Sequence, residues 1–242
     1  MIITVIGHLC LDLIRHPDGA ESRGYGGIFF SVATLANLLS PRDTVRPVCG
    51  VGKGEYDELL ERLGLYPNVD TSGIFRLPAQ TNQVTLTYAE AGKRVERSEF
   101  IADPIPWKRI RSQVNGAAMV LVNMISGFDI TLETLDEIRM AAREDRVPIY
   151  LDVHSLTLAV GDDFTRFHRP VETWRRWLFM LHGVHPNEEE AATLPPERFD
   201  EETRGGRSPD QVHPHRARDR RNHGVHAGRR DPEIRRRVRL LR

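Results

Sequence analysis

Cysteine, lysine and long apolar runs are all scarce in this chain. Two cysteines in 242 residues, Cys10 and Cys49, cannot staple a fold of this size, and both stand in apolar, strand-like surroundings. They read as buried thiols of a reducing compartment rather than a disulfide framework. No apolar stretch nears the eighteen or so residues of a membrane span, the longest candidate being 117–125. Met1 leads straight into Ile2-Ile3-Thr4-Val5-Ile6 without a basic region or a small-residue cleavage site, so no signal peptide is expected and the cytoplasm is the expected location. Two nucleotide fingerprints are missing as well. Gly7 does not open a Gly-x-Gly-x-x-Gly turn, which argues against a nicotinamide dehydrogenase. Gly50-Val51-Gly52-Lys53-Gly54 puts a glycine where a phosphate loop needs a magnesium-binding hydroxyl.

What is present is enough apolar residue, 40%, for one large or two small domains with a proper core. Strand and helix patterns alternate. Strand 2–6 ends in Gly7-His8-Leu9-Cys10-Leu11-Asp12, a carboxylate in the loop at the carboxyl end of a strand, where open α/β sheets bind ligands. Gly24-Tyr25-Gly26-Gly27 then runs into a helix, 28–39, that is apolar on most sides and is expected to be buried, its first turn a floor that a small molecule can approach closely. Strand 45–49 contains Pro47, which suits an edge better than a centre. An amphipathic helix follows, with Tyr56, Leu59, Leu60 and Leu63 on one face.

Residues 70–103 break the rhythm. Val84, Leu86 and Tyr88 alternate with threonines, Glu90-Ala91-Gly92-Lys93 is a turn, and a polar strand with Arg94, Arg97 and Glu99 returns. This is a hairpin with one apolar face, either a lid or an edge decoration. Strand 117–124, helix 131–143 and strand 147–153 restore the crossover pattern. Asp152 and His154 close the last strand, as an acid–base pair or a simple hydrogen-bonded one. Trp174, Trp177, Leu178 and Leu181 mark a core helix, and Asn187 with Glu190 has the spacing of a capping box.

The order of these pieces resembles the ribokinase-like (PfkB) carbohydrate kinase family over about residues 1–200. The resemblance implies an α/β, three-layer sandwich with a mostly parallel sheet and a small β lid at about 70–103. It implies that Asp12, Gly26 and Gly27 hold sugar hydroxyls, and that Asn187 and Glu190 match the family's Asn-x-x-Glu motif associated with magnesium and phosphate. ATP and Mg2+ are the expected cofactors, a small sugar-like molecule the expected partner, and the lid leaves room for a homodimer. Ser31 and Lys53 depart from the family pattern, so no particular sugar is implied. The family's Gly-Ala-Gly-Asp segment, which supplies an anion hole and the catalytic base, occurs nowhere in the 242 residues. No catalytic residue is therefore assigned, and the chain is expected to be inactive.

Residues 204–242 differ in kind. They hold 13 arginines, no lysine and 4 acids, a net of +9 against −9 for residues 1–203, so the neutral overall charge is an average of two unlike parts. With only Lys53, Lys93 and Lys108 against 31 arginines, the chain has the bias of a GC-rich gene, and an Arg/His/Pro-rich end fits a frameshifted or natively disordered tail. The alternative is a noncatalytic α/β binding protein with a nucleic-acid-binding arm. The tail has no aromatic residue to stack on bases, which argues against nucleic acid as a partner, and its histidines lack the cysteines and spacing of a zinc site.

Overall fold

A computed structural model describes residues 1–88 and 94–193. The turn at 90–93 and the arginine-rich end, the subjects of two of the expectations above, lie outside the described residues.

The frame is a six-stranded sheet. Strands β1 (Ile2–Ile6), β4 (Thr44–Val51), β5 (Ile74–Arg76), β8 (Met119–Asn123), β9 (Ile149–Asp152) and β12 (Gly183–His185) run in the order β12-β9-β8-β1-β4-β5, every neighbouring pair parallel. These segments are near-continuous apolar runs, as strands covered on both faces must be. Helices α1 (Ile28–Leu38) and α2 (Tyr56–Leu63) cover one face, burying Val32, Ala36, Leu59 and Leu63. Helices α3 (Trp107–Val114), α4 (Leu132–Glu144) and α5 (Trp174–Phe179) cover the other through Ile110, Leu135, Ile138 and Trp177. Thr131 starts α4 by accepting the Thr134 backbone N–H at 3.1 Å, and a short helix α6 (Glu188–Ala192) follows β12. The chain builds outward from β1 to β4 and β5, then crosses back to β8. The crevice beside the end of β1 is therefore a topological switch point, the usual ligand position in such sheets.

Pro47 is not on an edge, because β4 lies between β1 and β5. It is tolerated there because the N–H of Val45 points to the Asn68 carbonyl, so the missing N–H of Pro47 faces the single turn at Thr71–Gly73, before the ladder to β5 begins at Cys49.

A second sheet, β3-β2-β6-β7, joins β2 (Leu9–Arg15), β3 (Glu21–Gly27), β6 (Asn82–Tyr88) and β7 (Arg94–Glu99). The expected hairpin is its outer half. Two expectations need correction. The segment at 74–76 belongs to the large sheet, not to the lid, and Asp12 lies in a strand, not a loop. In Leu9–Arg15 the side chains alternate between two faces, which lets one strand carry Leu9, Leu11 and Leu13 on one side and Asp12 on the other. Helix α1 is also less enclosed than its composition suggests. Ile28, Val32 and Ala36 are buried, but Phe30 is 61% and Leu38 75% exposed. A last small hairpin, β10 (Leu158–Val160) with β11 (Arg166–His168), follows β9 and touches β7 through a bridge between Arg97 and Thr165.

Candidate functional site

At the carboxyl ends of β8 and β9, beneath the small sheet, lies a cleft of about 270 Å³. Its roof is one face of the small sheet. Strand register aligns Asp12 with Val84 and Ser98, and Ile14 with Leu86 and Glu96, so Asp12, Val84, Leu86 and Glu96 all point the same way. Its floor is the first turn of α1, with Phe30 and Ser31, and the strand ends carrying Asn123 and Asp152.

Asp12 is the centre of this polarity. The Cys10 thiol donates to its Oδ1 at 3.2 Å. Burial raises the Asp12 carboxyl above its ordinary 3.8; the Cys10 hydrogen bond opposes the rise, Glu96 adds to it, and Arg166 opposes it. Burial likewise lifts the Cys10 thiol well above 9.0 and pushes Cys49 up to about 12, so both cysteines are the buried, inert thiols expected.

The two glycines serve Asp12 and the turn more directly than they serve a ligand. A Cβ on Gly26 would overlap the Asp12 carboxylate, so its bareness is what lets the acid lie flat against β3. Gly27 has φ +62°, and a Cβ there would come within 2.6 Å of the His8 carbonyl oxygen. It is the pivot from strand into α1, and it also borders the cleft.

Around these, the structure brings together residues the sequence did not single out. Asn123 Nδ2 donates to Ser31 Oγ at 2.7 Å, while its Oδ1 is buried without a partner. His8, just past β1, donates its backbone N–H to Asp129 Oδ1 at 2.6 Å, and its Nδ1 pairs with Ser126 Oγ at 2.8 Å. Asp129 also accepts from Ser126 and Gly127, fixing the loop that presents Ile125 to the cleft. Arg166, only 3% exposed, enters from β11 and reaches Glu96 at 3.3 Å. Burial lowers its pKa below the ordinary guanidinium value, against the pull of Glu96. Neither Arg166 nor Glu96 stands in a motif, since their meeting depends on how two separate hairpins dock.

Asp152 and His154 both border the cleft but do not pair. Asp152 faces His185 Nδ1 at 3.9 Å, and His154 Nδ1 bonds Ser155 Oγ at 2.8 Å from a backbone with φ +34°. Asn187 and Glu190 are absorbed in each other. Asn187 Oδ1 accepts the Glu190 N–H at 2.8 Å, and the Glu190 carboxylate accepts the Asn187 backbone N–H at 2.9 Å and its Nδ2 at 2.7 Å. That is a complete capping box. No cluster of three or more acids, histidines and cysteines suited to a metal ion occurs among the described residues.

An open parallel α/β sheet, a switch-point cleft and a small sheet roofing it make up the architecture of the described residues. This is the ribokinase fold. No protein-family model and no curated protein sequence matches the chain, but solved structures do. A pyrophosphate-dependent kinase of the ribokinase family superposes with a TM-score of 0.67 at 17% identity, over 80% of this chain and 64% of that one. A Burkholderia thailandensis nucleoside kinase in complex with inosine gives 0.57 at 14% identity, over 80% and 63%. An Arabidopsis thaliana ribokinase complexed with ribose and ATP gives 0.55 at 16%, over 80% and 62%. The chain thus spans just under two thirds of the length of these kinases. No helix among the described residues is long and apolar enough to cross a membrane.

Proposed function

We propose that residues 1–193 form the acceptor-binding part of an ATP-dependent kinase for a sugar or related hydroxyl compound, and that this chain by itself transfers little or no phosphate. The observation that carries the reading is the Asp12 carboxylate: half-desolvated, held on a strand, and turned into a cleft at the strand ends of a ribokinase fold. A carboxylate so placed accepts hydroxyl hydrogens, and Gly26, Gly27 and the roof sheet shape the space for a compact polyol. The inactivity half rests on the absence of any Gly-Ala-Gly-Asp segment from the sequence. At the expected Mg2+ pair, Asn187 and Glu190 hold each other in a capping box, and each oxygen of the Glu190 carboxylate keeps a further lone pair that a hydrated Mg2+ would meet.

Calorimetric titration with ribose and with inosine tests the first half. One of them is expected to bind at millimolar strength, with a loss of about tenfold in Asp12→Asn; no binding by either overturns the acceptor reading. Incubation with the bound compound, Mg2+ and either ATP or pyrophosphate tests the second, and robust turnover refutes the inactivity. The net +9 of residues 204–242 supports one other reading, a noncatalytic binder with a nucleic-acid arm. Steeply salt-dependent RNA or DNA binding that is lost on deleting 204–242 would favour it.

A further inference from the structure

Arg166 is the most completely engaged side chain of the cleft. Its Nε donates to Ser98 Oγ at 2.5 Å, on the roof sheet. Its Nη1 donates to Ser155 Oγ and to the Ile125 carbonyl at 3.3 Å, and its Nη2 to the carbonyls of Ile125 at 3.3 Å and Ser126 at 3.4 Å, all on the strand-end loops below. Nη1 also lies 3.3 Å from Glu96 Oε1. Every nitrogen of the fork has an acceptor, so nothing is left over to grip a ligand. The guanidinium bridges roof to floor, and a planar five-donor fork is the side chain suited to that task.

Glu96 is the opposite case. Arg166 holds Oε1, Arg94 Nη2 lies 3.3 Å from Oε2, and a carboxylate with two such donors keeps further lone pairs free. It stands on the same sheet face as Asp12 and borders the same cleft. Two carboxylates spaced across one sheet face match two hydroxyls of one substrate.

We propose that Glu96 is a second hydroxyl-accepting, specificity-determining residue of the cleft, and that Arg166 is the positioning residue that fixes it by tying the roof sheet to the strand-end loops. The substrate half of this rests on the acceptor reading above; the tie does not. Backbone contacts between the hairpins, such as Ser98 N–H to the Phe164 carbonyl at 2.9 Å, place β11 beside β7 but leave the Glu96 carboxylate, without the Arg166 guanidinium, tied only to Arg94 on its own strand.

The test has two arms on the full chain. Hydrogen exchange reads the tie without any ligand. Arg166→Met should speed exchange in 94–99 by about tenfold while 119–123 changes less than twofold, the loss of hydrogen bonds to a charged group being local. Arg166→Lys, which keeps the charge but not the fork, should do the same more weakly and covers the case in which the methionine variant does not fold. Exchange in 94–99 equal to wild type in Arg166→Lys and in any folded Arg166→Met overturns the tie. Titration with ribose and inosine reads the hydroxyl contact. Glu96→Gln and Arg166→Lys should each weaken the bound compound by about tenfold, and the double variant by no more than either alone, as for residues acting through one contact. Unchanged affinity in Glu96→Gln, or losses that add, overturns the assignment. If neither compound binds wild type, the acceptor reading and with it the hydroxyl role of Glu96 fall, and the exchange arm still decides the tie.

Discussion

Asp12 is costly to keep ionised in the folded chain, and the cost has a definite pH signature. An acid whose folded pKa lies above its unfolded one is protonated in both states below the ordinary 3.8 and costs nothing there. As pH rises through the window between 3.8 and the raised folded value, the folded state loses stability, and it stays lower above that window. Asp12→Asn should therefore melt higher than wild type at pH 7, with the gap closing as pH falls toward 3.8; a gap of reversed sign in thermal melts would mean that Cys10 and Arg166 outweigh burial. The cysteines give a second expectation at this scale. With Cys10 raised well above 9.0 and Cys49 near 12, iodoacetamide at neutral pH should leave both unmodified in the native chain and alkylate both in urea, as read by mass spectrometry. Neither Glu96 nor Arg166 was legible beforehand, for a physical reason: a charged residue on a polar strand has the same sequence signature whether it faces solvent or a cleft.

Among the elements, the strands and helices of the large sheet were the most legible, since doubly covered strands and amphipathic helices write their burial into the apolar pattern. The roof sheet was half legible. The alternation in 82–99 announces a hairpin, but Leu9–Arg15 carries apolar residues on both faces and so conceals its period. Its partner Glu21–Gly27 is polar and glycine-rich, and reads as a turn. Helix α1 misled in the other direction, because Phe30 faces the cleft and not the core. At α6 both readings of Asn187 and Glu190 were open, and the geometry completes the cap. A role as cap alone predicts that millimolar Mg2+ leaves the melting temperature unchanged, whereas a rise abolished by Glu190→Gln would mark the metal-associated role. Asn187→Ala should lose the cap, with a cost of about 1 kcal/mol confined to the end of the chain's described part.

For the whole molecule, the two faces of the large sheet are unequally covered. Val120, Val122, Ile149 and Leu151 lie under α3 and α4 with Val184 beside Leu151, whereas Met119, Leu121 and Tyr150 on the other side line an apolar groove of about 490 Å³ beside α1. Among the described residues β12 is also an edge strand. An apolar face next to an open edge invites pairing, so the 27.6 kDa chain should self-associate with rising concentration in light scattering, and a monodisperse, cooperatively melting monomer would contradict this. The position of β1 has a further consequence, one of time. It leaves the ribosome before either of its neighbours, yet it ends inside the sheet, paired on one side with residues 44–48 and on the other with residues 119–122. During synthesis its apolar length waits for a partner that does not yet exist. Folding of such high contact order is slow and exposes the nascent chain to aggregation, so the yield of soluble protein should depend more on translation speed and chaperone supply than on the stability of the finished fold.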